Sequence, residues 1–205
     1  MRTITKEFNI YKYNELSQVA KEKVKEFYLK AQEPCIFEEL CNEELHDMFH
    51  TDLNVQFSLS YCQGDGFNIY GKIGVDDILN ALITIPTLPK YQFLTVENIK
   101  KLSKFGEICG RIELPENRFY CYSVSDRIDF CNDWIEDLTD YCIALDRKDR
   151  DLIFKFQQIV RKLFSELCNE YEKRGYEFFY ETTEENIADW CEYNEFEFYE
   201  DGSIY

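Results

Sequence analysis

Two segments in the first half of the chain alternate between apolar and polar positions. The inner residues of the first segment are Val55, Phe57, Leu59 and Tyr61, and the same spacing continues over 67–73. Successive side chains of a β-strand point to opposite faces, so each segment predicts a strand with one buried face. Two of the four residues at 63–66 are glycines, which suit a tight turn. The pattern therefore predicts an antiparallel hairpin in which the four inner residues share one buried face.

Longer segments carry apolar residues at every third or fourth position, which predicts helices with one buried face. Polar residues of the kind that cap helices precede three of them, namely Asn14 or Ser17 for the first, Thr95 and Thr182. Glycine ends helices well, so we expect Gly175 to end the longest one. The predicted helices cover about 18–33, 36–50, 77–83, 96–104, 126–145, 149–174 and 183–191.

Runs rich in β-branched and aromatic residues predict further strands. These strands cover 3–11, 106–114, 118–124, 176–181 and the C-terminal residues. The second and third of them are expected to pair as another hairpin. The sequence therefore predicts an α+β fold, with an antiparallel sheet built from hairpins and several packed helices. We expect a single domain over 1–205, which sub-lobes 1–125 and 126–205 could build.

The composition changes the picture mainly through its charge. Hydrophobic residues make up 45% of the 205 residues, enough for a real core, so wholesale disorder is excluded. The chain has 40 acidic and 23 basic residues, which gives a net charge of −17. Such a surface repels phosphate groups, so we expect no direct binding to nucleic acid and none to an anionic membrane.

The acidic residues are concentrated towards the C-terminus. The segment 175–205 holds ten acids and no base, and in 195–198 acids alternate with aromatic residues. On a strand this alternation would place the aromatic rings inward and the carboxylates outward. The predicted partner-binding residues are Glu184, Glu185, Asp189, Glu192, Glu195, Glu197, Glu200 and Asp201. A second acidic segment, 31–71, holds eight acids and no base and is the next candidate.

The only two histidines, His46 and His50, are four residues apart, which is the spacing of two zinc ligands on the helix of a zinc protease. In such a protease the residue after the first histidine is a glutamate that serves as general base, but here it is Asp47. We therefore expect no metal, no cofactor and no catalytic residue, and a metal-dependent hydrolase using His46 and His50 is kept as an alternative. The nine cysteines are odd in number and include no C-x-x-C pair, which is typical of reduced thiols in a cytoplasm. No targeting segment is visible, and the most apolar run is shorter than the ~20 residues of a membrane span.

Three segments carry a resemblance to a known group of proteins. Residues 8–17 with 20–23, residues 61–66 and residues 196–205 resemble the opening, the central hairpin and the C-terminus of small phage and mobile-element proteins of low-GC bacteria. Accessory proteins of this size and acidity include inhibitors of host defence, such as anti-CRISPR and anti-restriction proteins, and several of those mimic DNA. The resemblance implies a phage protein that acts in the cytoplasm of its host cell, and it supplies no catalytic residue.

The leading hypothesis joins the charge to this resemblance. We expect a phage-encoded inhibitor that is not an enzyme and that binds a basic nucleic-acid-binding protein, such as a CRISPR effector or a restriction nuclease, through an acidic surface that mimics DNA. A phage regulatory or antitoxin-like interaction protein is the first alternative, and the metal-dependent hydrolase is the second.

Overall fold

A computed structural model of the chain describes residues 7–62, 64–86, 88, 90–116, 138 and 144–205. In these residues the helices are α1 (Gln18–Lys30), α2 (Pro34–Phe49), α3 (Val75–Thr84), α4 (Val96–Cys109), α5 (Arg147–Tyr180) and α6 (Glu184–Tyr193), with a short 3-10 helix at Tyr13–Glu15. The strands are β1 (Leu53–Ser58), β2 (Gly66–Ile73) and β3 (Ile112–Leu114). They form one antiparallel sheet in the order β1-β2-β3, and the predicted α+β class is confirmed.

The predicted hairpin is present as β1 and β2, with Val55 opposite Ile69 and Phe57 opposite Phe67. Its inner face is shorter than predicted, because Tyr61 lies beyond β1 and its side chain is 67% exposed. The cause is the carboxylate of Asp65, which accepts hydrogen bonds from the backbone amides of Ser60 (2.7 Å) and Cys62 (2.9 Å). These bonds bend the chain out of the pleat, so the alternation ends with Leu59.

The first strand of the second predicted hairpin, expected over 106–114, differs from the prediction. Residues 106–109 belong to the end of α4, and β3 begins only at Ile112. This strand pairs with β2 through Ile73 and Ile112. The segment 118–124 lies outside the described residues, and so does most of the helix predicted over 126–145.

The longest helix contradicts two predictions. α5 continues through Gly175 to Tyr180, so Gly175 does not end it and 176–181 is not a strand. A helix interior tolerates one glycine at a cost of about 1 kcal/mol. Tyr176 and Tyr180 lie one turn apart with ring centroids at 6.2 Å, so the aromatic run packs along a helical face.

Contacts divide the chain into two compact units. The terminal unit comprises Met1–Ile36 and Gly175–Tyr205, and the central unit comprises Phe37–Arg174. The expected single domain with sub-lobes 1–125 and 126–205 stays a prediction, since position 125 lies outside the described residues. Within the described residues no helix is both long enough and apolar enough to span a membrane.

The terminal unit has its own apolar core. It consists of Tyr13, Leu16, Ala20, Val24, Ile187, Cys191 and Phe198. The strands expected at 3–11 and at the C-terminus are reduced, within the described residues, to isolated bridges. Tyr11 and Phe198 exchange two backbone hydrogen bonds of 2.9 Å, and Phe198 also faces Ile204. Turns at 194–195 and 200–202 flank Phe198, and the short 3-10 helix begins two residues after Tyr11, so these pairings stay single bridges.

Candidate acidic binding surface

The helix α6 carries half of the predicted partner-binding residues, and its cap fixes where it begins. The Thr183 hydroxyl accepts a hydrogen bond of 3.2 Å from the Asn186 amide, so the cap lies one residue after the predicted Thr182. Glu184 and Glu185 then occupy the first turn, where negative charge interacts favourably with the helix dipole. Ile187 and Cys191 are buried one turn apart, so the opposite face of α6 points outward.

Three carboxylates form a row on that outward face. Glu185, Asp189 and Glu192 follow one another at four and three residues and are all exposed. At 1.5 Å per residue, they span about 10 Å along the helix axis. Their side chains make no hydrogen bond or ion pair to any described residue. We call these three residues the acidic stripe.

The segment after α6 continues the acidic surface. Glu195 has a φ of 55° and is exposed at the turn that ends the helix. Phe198 is buried, and the Phe196 ring packs edge-on against Trp190 with centroids 5.0 Å apart. Glu197, which comes between these two phenylalanines in the sequence, is half-buried, and Glu200 is exposed. Phe196 and Phe198 thus pack into the core of the terminal unit, and most of the acids around them face outward.

Three of the eight predicted residues are paired with lysines from the N-terminal segment. Their ion pairs are Glu184 to Lys21 (3.4 Å), Glu197 to Lys12 (3.1 Å) and Asp201 to Lys23 (2.8 Å). Sequence reasoning missed these lysines because they lie more than 160 positions away. The Lys23 hydrogen bond, with help from Ser203, holds the pKa of Asp201 far below its usual value, and hydrogen bonds from Gln18 and Lys21 lower the pKa of Glu184.

The remaining five carboxylates have no cation within the described part of the chain. They are Glu185, Asp189, Glu192, Glu195 and Glu200. The terminal unit as a whole carries fifteen acidic and seven basic residues, a net charge of −8. The acidic stripe and the two acids Glu195 and Glu200 supply five of these fifteen negative charges, and none of the five has a cation among the described residues.

A cleft of about 700 Å³ opens beside the acidic stripe. Three carboxylates line it, from Glu192, Glu195 and Glu197, and so do the rings of Tyr13 and Phe196. Lys12 is its one basic lining residue among those described, and it is already paired with Glu197. The thiol of Cys191 also lines the cleft, and burial raises its pKa to about 11, so it stays neutral near pH 7.

The two histidines do not share a continuous helix. His46 lies in the last turn of α2, with its Nδ1 3.2 Å from a carboxylate oxygen of Asp52. His50 comes after the end of that helix, with a φ of 54°. Among the described residues, no group of three or more His, Cys, Asp or Glu side chains is placed to hold a metal ion.

Comparisons with protein-family models, with curated proteins and with solved structures found no match to this chain. The resemblance to phage accessory proteins therefore stays a prediction that depends on short segments. Function is inferred from the charge and geometry of the terminal unit.

Proposed function

We propose that this protein is a phage-encoded inhibitor of the anti-CRISPR or anti-restriction kind, which acts in the host cytoplasm. It binds a basic, nucleic-acid-processing defence protein in the groove that normally holds nucleic acid. The observation that carries the proposal is the acidic stripe, in which Glu185, Asp189 and Glu192 lie in a row without a cation from the described residues.

The spacing of the stripe suits a groove that binds phosphates. The carboxylates rise by about 6 Å and then about 4.5 Å along α6. Phosphates on one DNA strand lie about 3.4 Å apart along the duplex axis. The carboxylate intervals of about 6 and 4.5 Å therefore lie between one phosphate step and two, a range that flexible lysine and arginine side chains can span. Long-range attraction between the two surfaces would speed the encounter.

The stripe also works against the stability of the fold. Glu185 and Asp189 are four residues apart, and Asp189 and Glu192 are three apart. Each like-charged pair at such a spacing destabilises a helix by about 0.2–0.5 kcal/mol. A surface that serves only solubility normally mixes both signs of charge. A row of uncompensated acids supports a binding role, because a basic partner would remove the repulsion.

The test is competition for a defence nuclease. A panel of purified CRISPR effectors and restriction nucleases is mixed with a fluorescent DNA duplex, and displacement of the duplex by this protein is followed by anisotropy at 50 and 200 mM salt. We expect displacement from at least one nuclease, weakening as salt rises. Neutralising the stripe as Glu185→Gln, Asp189→Asn and Glu192→Gln should weaken it about tenfold to a hundredfold, at about 0.5–1 kcal/mol per charge.

A matched control neutralises three exposed acids of the central unit that lie outside the segment 31–71, as Glu107→Gln, Asp151→Asn and Glu170→Gln. This variant changes the net charge by the same amount and should displace DNA within about threefold of the parent. The proposal is wrong if no nuclease of the panel is displaced, or if both triple variants lose affinity equally.

A further inference from the structure

We propose that the cleft beside the acidic stripe binds an arginine side chain of the basic partner. This inference rests on the proposed function and names the chemical group that the cleft recognises. The guanidinium would lie between Glu192 and Glu195 and beside Phe196, with the Tyr13 hydroxyl as a further partner, because the Lys21 ammonium already lies 5.2 Å from the centroid of the Tyr13 ring.

The charge of the cleft requires a cation. Of its three carboxylates, only the one on Glu197 is matched, by Lys12 at 3.1 Å. Glu192 and Glu195 line the same cleft without a partner among the described residues. The cleft therefore carries two uncompensated negative charges, which would repel a phosphate or a carboxylate ligand.

A polar group in the wall of the cleft is also without a partner. Tyr13 lines the cleft and is only 4% exposed, yet its hydroxyl makes no hydrogen bond to any described residue. Burial, followed by the negative charge of Glu184, raises the pKa of this hydroxyl, so it stays protonated at neutral pH. It can accept a hydrogen bond from an N–H group that enters the cleft.

The shape of the site favours arginine over a metal ion or a lysine. The three carboxylates do not converge on one point, since no group of three such side chains in the described part of the chain could hold a metal ion. A guanidinium is planar, offers five N–H donors along its edges and can serve separated carboxylates at once. Its flat face also stacks on aromatic rings, whereas an ammonium group is a compact point charge.

The probe is N-acetyl-arginine N-methylamide, titrated at millimolar concentration into the ¹⁵N-labelled full chain, with the lysine analogue in parallel. We expect amide shifts concentrated at Tyr13 and at 191–197, with the lysine analogue at least threefold weaker. The variant Glu192→Gln with Glu195→Gln should weaken arginine binding at least fivefold. The matched control Glu107→Gln with Asp151→Asn removes the same charge outside both the cleft and the acidic stripe, and should bind within twofold of the parent.

The inference is wrong if the two double variants lose affinity equally. It is also wrong if both analogues bind equally well, or if the amide shifts are spread evenly over α6. Circular dichroism shows whether each variant is folded. The Tyr13→Phe variant lacks only the hydroxyl and should bind the arginine analogue at least twofold more weakly than the parent. The two proposals fail separately. If DNA is displaced from a nuclease but the arginine analogue does not bind, only the cleft assignment is wrong. If the analogue binds but no nuclease is displaced, the proposed function is wrong.

Discussion

The turn that brings the C-terminus against α1 depends on a glycine that leaves no space for a side chain. Gly202 has a φ of 80°, and its amide donates a 2.9 Å hydrogen bond to the carbonyl of Tyr199. A Cβ added at this residue would lie 2.5 Å from the carbonyl oxygen of Ala20 in α1. That oxygen is a backbone atom, so no rotation of a side chain can relieve the contact. We therefore predict that Gly202→Ala strongly destabilises the terminal unit.

The expected loss has two parts. An alanine in the left-handed region costs about 1–2 kcal/mol. Overpacking against a rigid neighbour typically costs a further 1–3 kcal/mol. The free energy of unfolding should therefore fall by about 2–5 kcal/mol, a large share of the ~5–15 kcal/mol typical of a domain. For a chain of this size the midpoint of thermal unfolding should fall by roughly 4 to 20 °C.

The assay is urea unfolding followed by the fluorescence of Trp190, in a Trp134→Phe background that leaves Trp190 as the only tryptophan. The informative comparison is Gly202→Asn, because asparagine tolerates the left-handed region but carries the same Cβ. If the contact with Ala20 dominates, Gly202→Asn should recover no more than about 1 kcal/mol relative to Gly202→Ala. A Gly202→Asn variant as stable as the parent would show that the contact argument is wrong.

Two further predictions concern the central unit. A Cβ at Gly106 would lie 2.6 Å from both Cβ and Cγ2 of Val75, so Gly106→Ala should lower the free energy of unfolding by about 1–2 kcal/mol despite a helix-propensity gain of about 1 kcal/mol. In a Val75→Gly background, which removes both carbons, the same change should become neutral or stabilising in urea unfolding. Arg174 donates two hydrogen bonds of 2.6 Å to Glu44, and these lower the pKa of the Glu44 carboxyl. The pair therefore stabilises the fold fully above the unfolded pKa of about 4.3, and this stabilisation is lost as pH falls through the lower pKa of the folded state. The stability difference between the parent and Glu44→Gln, about 1 kcal/mol at pH 7 for a partly exposed pair, should shrink between about pH 5 and 3 in urea unfolding, and a difference that stays constant would contradict this.

Local signals in the sequence were sufficient where a single contact decides the structure. Ser17 and Thr95 each accept the expected capping hydrogen bond at 3.3 Å, and α1 and α4 begin where predicted. The hairpin followed from its period-two alternation, because one buried face fixes the register. These features depend on residues only a few positions apart, which a pattern can reveal.

Features that depend on longer-range packing were not predictable in this way. Gly175 is a residue type that often ends a helix, but here it is buried within α5, and the helix continues to Tyr180. The end of β1 was misplaced because the hydrogen bond that the Cys62 amide donates to the Asp65 carboxylate is a side-chain interaction within a loop, which the alternating pattern does not reveal. Alternating patterns over five or six residues do not distinguish a strand from the end of a long helix.

The candidate surface shows the same division between local and long-range information. Charge counted along the sequence treats all eight predicted acids alike, but the fold separates them into two groups. Glu184, Glu197 and Asp201 each bind a lysine of the N-terminal segment and so help hold the two ends of the chain together in the terminal unit. Reversing their charge would disturb folding as well as binding, and a loss of affinity could then not be assigned to the interface. The acidic stripe makes no ion pair or hydrogen bond within the described residues, and only its first member, Glu185, lies in the first turn of α6, so a loss of binding on neutralising Asp189 and Glu192 would report most directly on a partner.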